Sequence, residues 1–282
     1  MSIGVRRIEQ FLAGAGRTIL VEVDQALGST PREAGAWMLV GAVQAFGTIG
    51  GGQLEFLAID RARRILAGKD DPGEMSVPLG PDIGQCCGGR VVLSFLELDE
   101  GRRAKLIERM KTEARRQPDV LVFGAGHVGV ALAHALAPLP FNVTVIDTRR
   151  DALTDLPEGV EGRLAAVPEA LVRQARPGSA FVILTHDHAL DFLIAKEALE
   201  RGDAAYVGMI GSKSKRATFA GWFRREGGDL SLLDRLVSPI AADVTGDKRP
   251  PVIAALAAAE ILRQYDANAF AADRRMRTSN EW

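Results

Sequence analysis

The sequence predicts an α/β protein, in which an N-terminal mixed α/β domain precedes a Rossmann-type parallel-sheet domain. Three observations predict it. From Asp119 onward, apolar strands alternate with helical stretches, the pattern that builds a parallel sheet with helices on both faces. Gly124, Gly126 and Gly129 spell G-x-G-x-x-G between an apolar strand and a helix, the context in which that spacing has meaning. The first hundred residues are instead glycine-rich and read as short strands around one helix.

In chain order, residues 18–23, 37–40, 42–46 and 90–98 mix apolar and β-branched side chains and read as strands. Leu54, Leu57, Ala58, Ile65 and Leu66 fall near helical spacing. Residues 101–117 carry seven Arg or Lys and two Glu, with Leu106, Ile107, Met110 and Ala114 as an apolar stripe. This reads as a linker helix with a solvated basic face, ended by Pro118. The expected organisation is therefore a first domain over 1–100, a linker helix over 101–118 and a Rossmann-type domain over 119–282. In the last, residues 119–126, 127–139 and 141–150 are expected to form one strand–helix–strand unit, with further strands at 180–185 and 205–210. Helices are expected around 190–200, 212–225 and 252–265, the last entered through Pro250 and Pro251.

Composition narrows the class. Of the 282 residues, 47% are hydrophobic and 25% charged, with a net charge of −1, so no global field draws the chain to nucleic acid or a membrane surface. No apolar run is long enough for a transmembrane helix, and the N-terminus lacks the apolar core of a signal peptide. Cys86 and Cys87 are adjacent, which does not suit a disulfide framework. A reducing cytoplasm is the expected compartment.

Candidate chemistry falls in three places. In the glycine turn, Gly124 permits a tight bend, Gly126 lets backbone approach a phosphate, and Gly129 lets helix and strand pack closely. The helix N-terminus adds free amides and partial positive charge. His127 sits inside the turn, and Asp147 ends the next strand, where an acid contacts ribose in NAD binders. NAD(P) or another nucleotide is the expected ligand, and Arg149 and Arg150 leave room for a second phosphate; the alternative is a fold that has lost its nucleotide.

The N-terminal half holds three glycine-rich segments, 28–35, 47–55 and 80–89. Gly50, Gly51 and Gly52 directly precede a helix and suit an anion, with Gln53 and Glu55 completing the segment; they would otherwise serve only tight turns. Cys86 and Cys87 lie in the third segment, where a thiolate would suit a soft metal or sulfur transfer. Finally, residues 185–191 read T-H-D-H-A-L-D at a strand's C-terminal end. His186 and His188, with Asp187 and Asp191, suit a metal or acid–base work, or else a polar loop capping the next helix.

Read in order, GSTPREAGAWMLV, GTIGGGQLE, GQCCGG, VFGAGHVG, VIDTR, LTHDHALD and YVGMIGSKSKR resemble the XdhC/CoxI family across nearly the whole chain. The resemblance implies a dimeric accessory protein rather than an enzyme. Such a chaperone binds molybdenum cofactor, supports its sulfuration by a cysteine desulfurase, and delivers it to apo-xanthine dehydrogenase. Residues 239–242 read P-I-A-A, where many CoxI-like relatives have P-I-G, a departure that points to the XdhC branch. The competing class is an NAD(P)-dependent oxidoreductase, which the glycine turn and Asp147 would serve.

Overall fold

The computed structural model describes residues 3–80, 88–241 and 246–279. The chain divides into two compact units, Met1–Thr112 and Glu113–Trp282.

The first unit is a five-stranded antiparallel sheet of order β3-β2-β1-β5-β4. Its strands are β1 (Ile19–Leu27), β2 (Trp37–Val40), β3 (Ala45–Gly47), β4 (Gly73–Pro78) and β5 (Arg90–Glu97). Side chains alternate across β1 with period two. Ile19, Val21 and Val23 join Leu54, Ala58, Ala62 and Ile65 of helix α2 (Gly52–Leu66) on one face. Leu20 points the other way, into a cluster with Ile8, Phe11 and Leu12 of helix α1 (Ile3–Gly14).

Leu106 of helix α3 (Glu100–Arg116) belongs to that second cluster, with Ile107 and Met110 against it. The helix expected as a linker is thus part of the first unit's core, because its apolar stripe needs a partner. The division between units falls inside α3, after Thr112.

The second unit is a six-stranded parallel sheet of order β11-β10-β9-β6-β7-β8. The strands are β6 (Asp119–Phe123), β7 (Asn142–Asp147), β8 (Glu161–Leu164), β9 (Ala180–Ile183), β10 (Tyr206–Met209) and β11 (Leu236–Val237). This is the doubly wound order that places a ligand crevice at the carboxyl ends of the strands, where the winding reverses between β6 and β9. Val120 and Val122 of β6 face helices α4 (His127–Leu136) and α8 (Pro250–Ser279). Leu121 and Phe123 face α5 (Glu169–Gln174), α6 (His188–Glu200) and α7 (Lys213–Arg225). Among the described residues no helix is long and apolar enough to cross a membrane.

Candidate functional site

The glycine turn is built as its spacing requires, each glycine for its own reason. Gly124 has φ +109°, and a Cβ there would lie 2.5 Å from the Leu184 carbonyl oxygen. A Cβ on Gly129 would overlap the Gly124 carbonyl oxygen, so this glycine sets how closely α4 lies against β6. Gly126 is the N-cap of α4 in extended conformation; a Cβ there would come 3.1 Å from His186 Cε1.

Asp147 ends β7 and is buried. Its Oδ2 accepts from the Ala125 amide at 2.8 Å, inside the turn. Its Oδ1 accepts from the Arg149 amide at 2.9 Å and from Arg149 Nε at 3.0 Å. Burial pushes this carboxyl up, yet the bonds from the Arg149 side chain and the Ala125 and Arg149 amides outweigh it and hold the group below the usual aspartate range. The acid therefore braces the turn and carries its own counter-ion, and a ribose hydroxyl would share it with Arg149. A cavity of about 270 Å³ opens here, lined among others by Gly124, Asp147, Arg149, Pro168, Thr185 and His186. His127 is exposed on the first turn of α4 and does not line that cavity.

The histidine segment is organised as a helix cap and a buried ion pair. Asp187 is the N-cap of α6, accepting from the Ala189 amide at 2.8 Å. Asp191 is fully buried, accepts from Thr185 Oγ1 at 2.6 Å and the Thr185 amide at 3.1 Å, and pairs with Lys215 of α7. Among the described residues no three His, Cys, Asp or Glu side chains gather as metal ligands. The metal expected on His186 and His188 thus finds no donor set there: the neighbouring carboxylates are spent, and both imidazoles are exposed. Lys215, 24 residues from Asp191, is the partner the sequence did not reveal.

In the first unit the three glycine segments meet. A Cβ on Gly50, φ +129°, would lie 2.6 Å from Pro31 Cγ, which puts the second segment on the first. Ser29 bridges to Gly88, and a Cβ on Gly28 would lie 3.3 Å from Gly89 Cα, which joins the first segment to the third. Leu79 and Gly88–Gly89 close the base of the third segment, with Gly88 N to Leu79 O and Leu79 N to Gly89 O both 2.8 Å. Cys86 and Cys87 lie outside the described residues.

Glu55, on the first turn of α2, reaches back over this cluster. Its Oε1 accepts from the Gly51 amide at 2.9 Å, the Ile49 amide at 3.1 Å and Thr48 Oγ1. The amides expected to cradle a phosphate at Gly50–Gly52 are in part given to the chain's own carboxylate, so a phosphate at Gly51 would have to replace it. Gln53 is exposed beside it. Burial pushes the Glu55 carboxyl up, but the bonds from Thr48 and the Gly51, Ile49 and Gly50 amides win and hold it below the ordinary glutamate value of 4.5. A carboxyl so lowered contributes stability above its unfolded value and loses it as pH falls through the folded one. Glu55→Gln keeps an oxygen for these donors but removes the charge at the start of α2, and should therefore cost about 0.5–1 kcal/mol at neutral pH. The gap to the unsubstituted protein should close in acid. Urea denaturation at both pH values checks this; a gap that widened in acid would refute it.

Residues 120–261 match the XdhC Rossmann domain, and residues 12–72 match the XdhC and CoxI family. The chain is 29% identical over 259 residues to the uncharacterized protein YqeB of Escherichia coli (strain K12), covering 86% of this chain. It spans 43% of that relative's length, less than half. A crystal structure described as a xanthine dehydrogenase from Bacillus halodurans superposes with a TM-score of 0.76, covering 95% of this chain and 96% of the other at 18% identity; at that identity the likeness is one of fold. With a family match over each unit, and the Rossmann match alone covering half of its residues, the chain belongs to the XdhC and CoxI family.

Proposed function

We propose that this chain is an accessory protein in the maturation of xanthine dehydrogenase. It holds molybdenum cofactor as cargo, supports its sulfuration by a cysteine desulfurase, and delivers it to the apo-enzyme, acting as a homodimer in the cytoplasm. The observation that carries this reading is the convergence of the three glycine-rich segments in the first unit, with the ends of the Cys86–Cys87 segment tied into it. Backbone free of side chains allows close approach of a flat pterin and its phosphate, and a thiolate from Cys86 or Cys87 would supply a soft donor for molybdenum or its terminal sulfur. Family membership supports the same reading.

The test is to purify the chain from cells supplied with molybdate and assay pterin fluorescence after oxidation. Bound pterin above an unrelated control protein is expected, and its absence refutes the reading. A double substitution Cys86→Ala/Cys87→Ala should lower retention at least tenfold, since even the groups that only support a metal's ligands cost about that much when removed. Retention unchanged in that variant removes the thiolates from the proposal.

A second reading, an NAD(P)-dependent oxidoreductase, is favoured by the glycine turn braced by Asp147. Titration with NAD(H) and NADP(H) separates the two. Binding without turnover leaves the second unit a nucleotide-reading part of an accessory protein.

A further inference from the structure

The carboxylate that ends β7 has no acceptor left to offer. An ionised aspartate has about four lone-pair positions. On Asp147, Oδ1 takes the Arg149 amide at 2.9 Å and Arg149 Nε at 3.0 Å, and Oδ2 takes the Ala125 amide at 2.8 Å and Arg149 Nη2 at 3.1 Å. The side chain is buried. A ribose 2′-hydroxyl therefore reaches this acid only by displacing one of its donors. Two of those are backbone amides of the turn and the strand end, and a buried amide left unpaired costs more than one new hydrogen bond returns.

Arg149 is engaged on one side only. Its Nε/Nη2 edge faces the carboxylate, Nη1 has no partner among the described residues, and the side chain is 53% exposed. A guanidinium holds its donors in a fixed fork, and the free Nη1/Nη2 edge matches two oxygens of one phosphate. A phosphate there would extend the carboxylate–guanidinium pair without displacing any donor. Arg150, the next residue, is exposed and adds positive charge.

The surroundings indicate what carries that phosphate. Asp147 and Arg149 line the cavity of about 270 Å³ together with Ile146, Pro168 and Leu190, which give it an apolar wall suited to a flat base. The volume falls just under the usual range for whole small-molecule sites, so it suits a base and its ribose, with the rest of the ligand outside. The glycine turn lies beside it: α4 starts at Gly126 with no side-chain cap, which leaves its first amides for a 5′-phosphate. A ribose spanning base slot and turn would set its 2′ position against the Asp147–Arg149 pair.

We propose, on the nucleotide reading of the second unit, that it selects adenine nucleotides bearing a 2′-phosphate over those with a free 2′-hydroxyl, and that the Nη1/Nη2 edge of Arg149 makes the selecting contact. The test is calorimetric titration of the full chain with adenosine 2′,5′-bisphosphate, adenosine 3′,5′-bisphosphate and adenosine 5′-monophosphate. The two bisphosphates carry the same charge, so they separate the position of the phosphate from general attraction. None of the three carries nicotinamide, so turnover plays no part. The 2′,5′-bisphosphate should bind about tenfold more tightly than either of the others. Arg149→Lys keeps a cation beside Asp147 but loses the fork, and should shrink the preference severalfold. Arg149→Gln should abolish it. In both variants the 5′-monophosphate should bind as well as before or better, because Asp147 regains a lone pair for the 2′-hydroxyl; that also shows the pocket intact. If none of the three ligands binds, the nucleotide reading falls and the selectivity with it. Equal affinity for the two bisphosphates, tighter binding of the monophosphate, or a preference unchanged in both variants would leave the nucleotide reading standing and overturn the role given to Arg149.

Discussion

Gly129→Ala should unfold the Rossmann unit at temperatures where the unsubstituted protein is folded. The new methyl group would overlap the carbonyl oxygen of Gly124. That atom is backbone, so no rotamer change relieves the clash. Relief requires lifting α4 from β6, which would open the cluster formed by Leu132, Ala133 and Leu136 with Val120 and Val122. Losing that packing places the substitution among the rare large effects, about 4 kcal/mol or more. For a unit of this size the melting temperature should fall by roughly 10 °C. Gly51→Ala is the comparison. Nothing stands within 4 Å of its Cβ, and only its φ of +80° resists the change, a cost of about 1–2 kcal/mol. A thermal melt of both variants, followed by circular dichroism, decides the matter. If Gly129→Ala costs no more than Gly51→Ala, the close approach is not what the glycine provides.

The same contrast shows where sequence was sufficient and where it was not. The G-x-G-x-x-G spacing located the turn because backbone geometry is local, and a glycine that must be a glycine leaves its mark at one position. The apolar and β-branched run at 18–23 marks strand β1, but which cluster Ile19, Leu20 and Val21 each enter is set by the sheet. Strand β8, with every residue exposed, had no apolar pattern to read, since an edge strand is set by its neighbour β7. Helix α1 carries Val5, Ile8, Phe11 and Leu12 at helical spacing, all buried, so its apolar stripe is written in the sequence itself.

The site divides similarly. The sequence singles out Asp147 and Glu55 but does not say what each carboxylate holds. Asp147 accepts from Ala125, 22 residues away, and Glu55 turns back on Gly51. The gathering of Gly28, Gly50 and Gly88–Gly89 depends on sheet pairing, so it became visible only in the fold.

The pairing least legible in sequence has the next largest expected consequence. Asp191 and Lys215 meet where α6 and α7 approach the ends of β9 and β10, Asp191 fully buried and the Lys215 side chain 9% exposed. Removing one charge leaves the other desolvated and unpaired, so Lys215→Met and Asp191→Asn should each cost about 3–5 kcal/mol. Asn at 191 keeps an oxygen for the Thr185 amide and hydroxyl, which now bond Asp191 Oδ1. The double variant Asp191→Asn/Lys215→Met therefore removes both charges without orphaning Thr185, and should recover to within about 2 kcal/mol of the original. A double-mutant cycle by urea denaturation measures the coupling. Additive losses would mean that the two side chains do not act as a pair. Recovery would show that stability alone does not require a buried charge pair at this point of the sheet. Its retention would then be tied to the Thr185–Asp191 segment, which borders the crevice between β6 and β9. On the NAD(P)-binding reading proposed above, nucleotide titration of the recovered double variant tests that role: affinity about tenfold below that of the unsubstituted protein is expected, and an unchanged affinity would make the pair a structural element only.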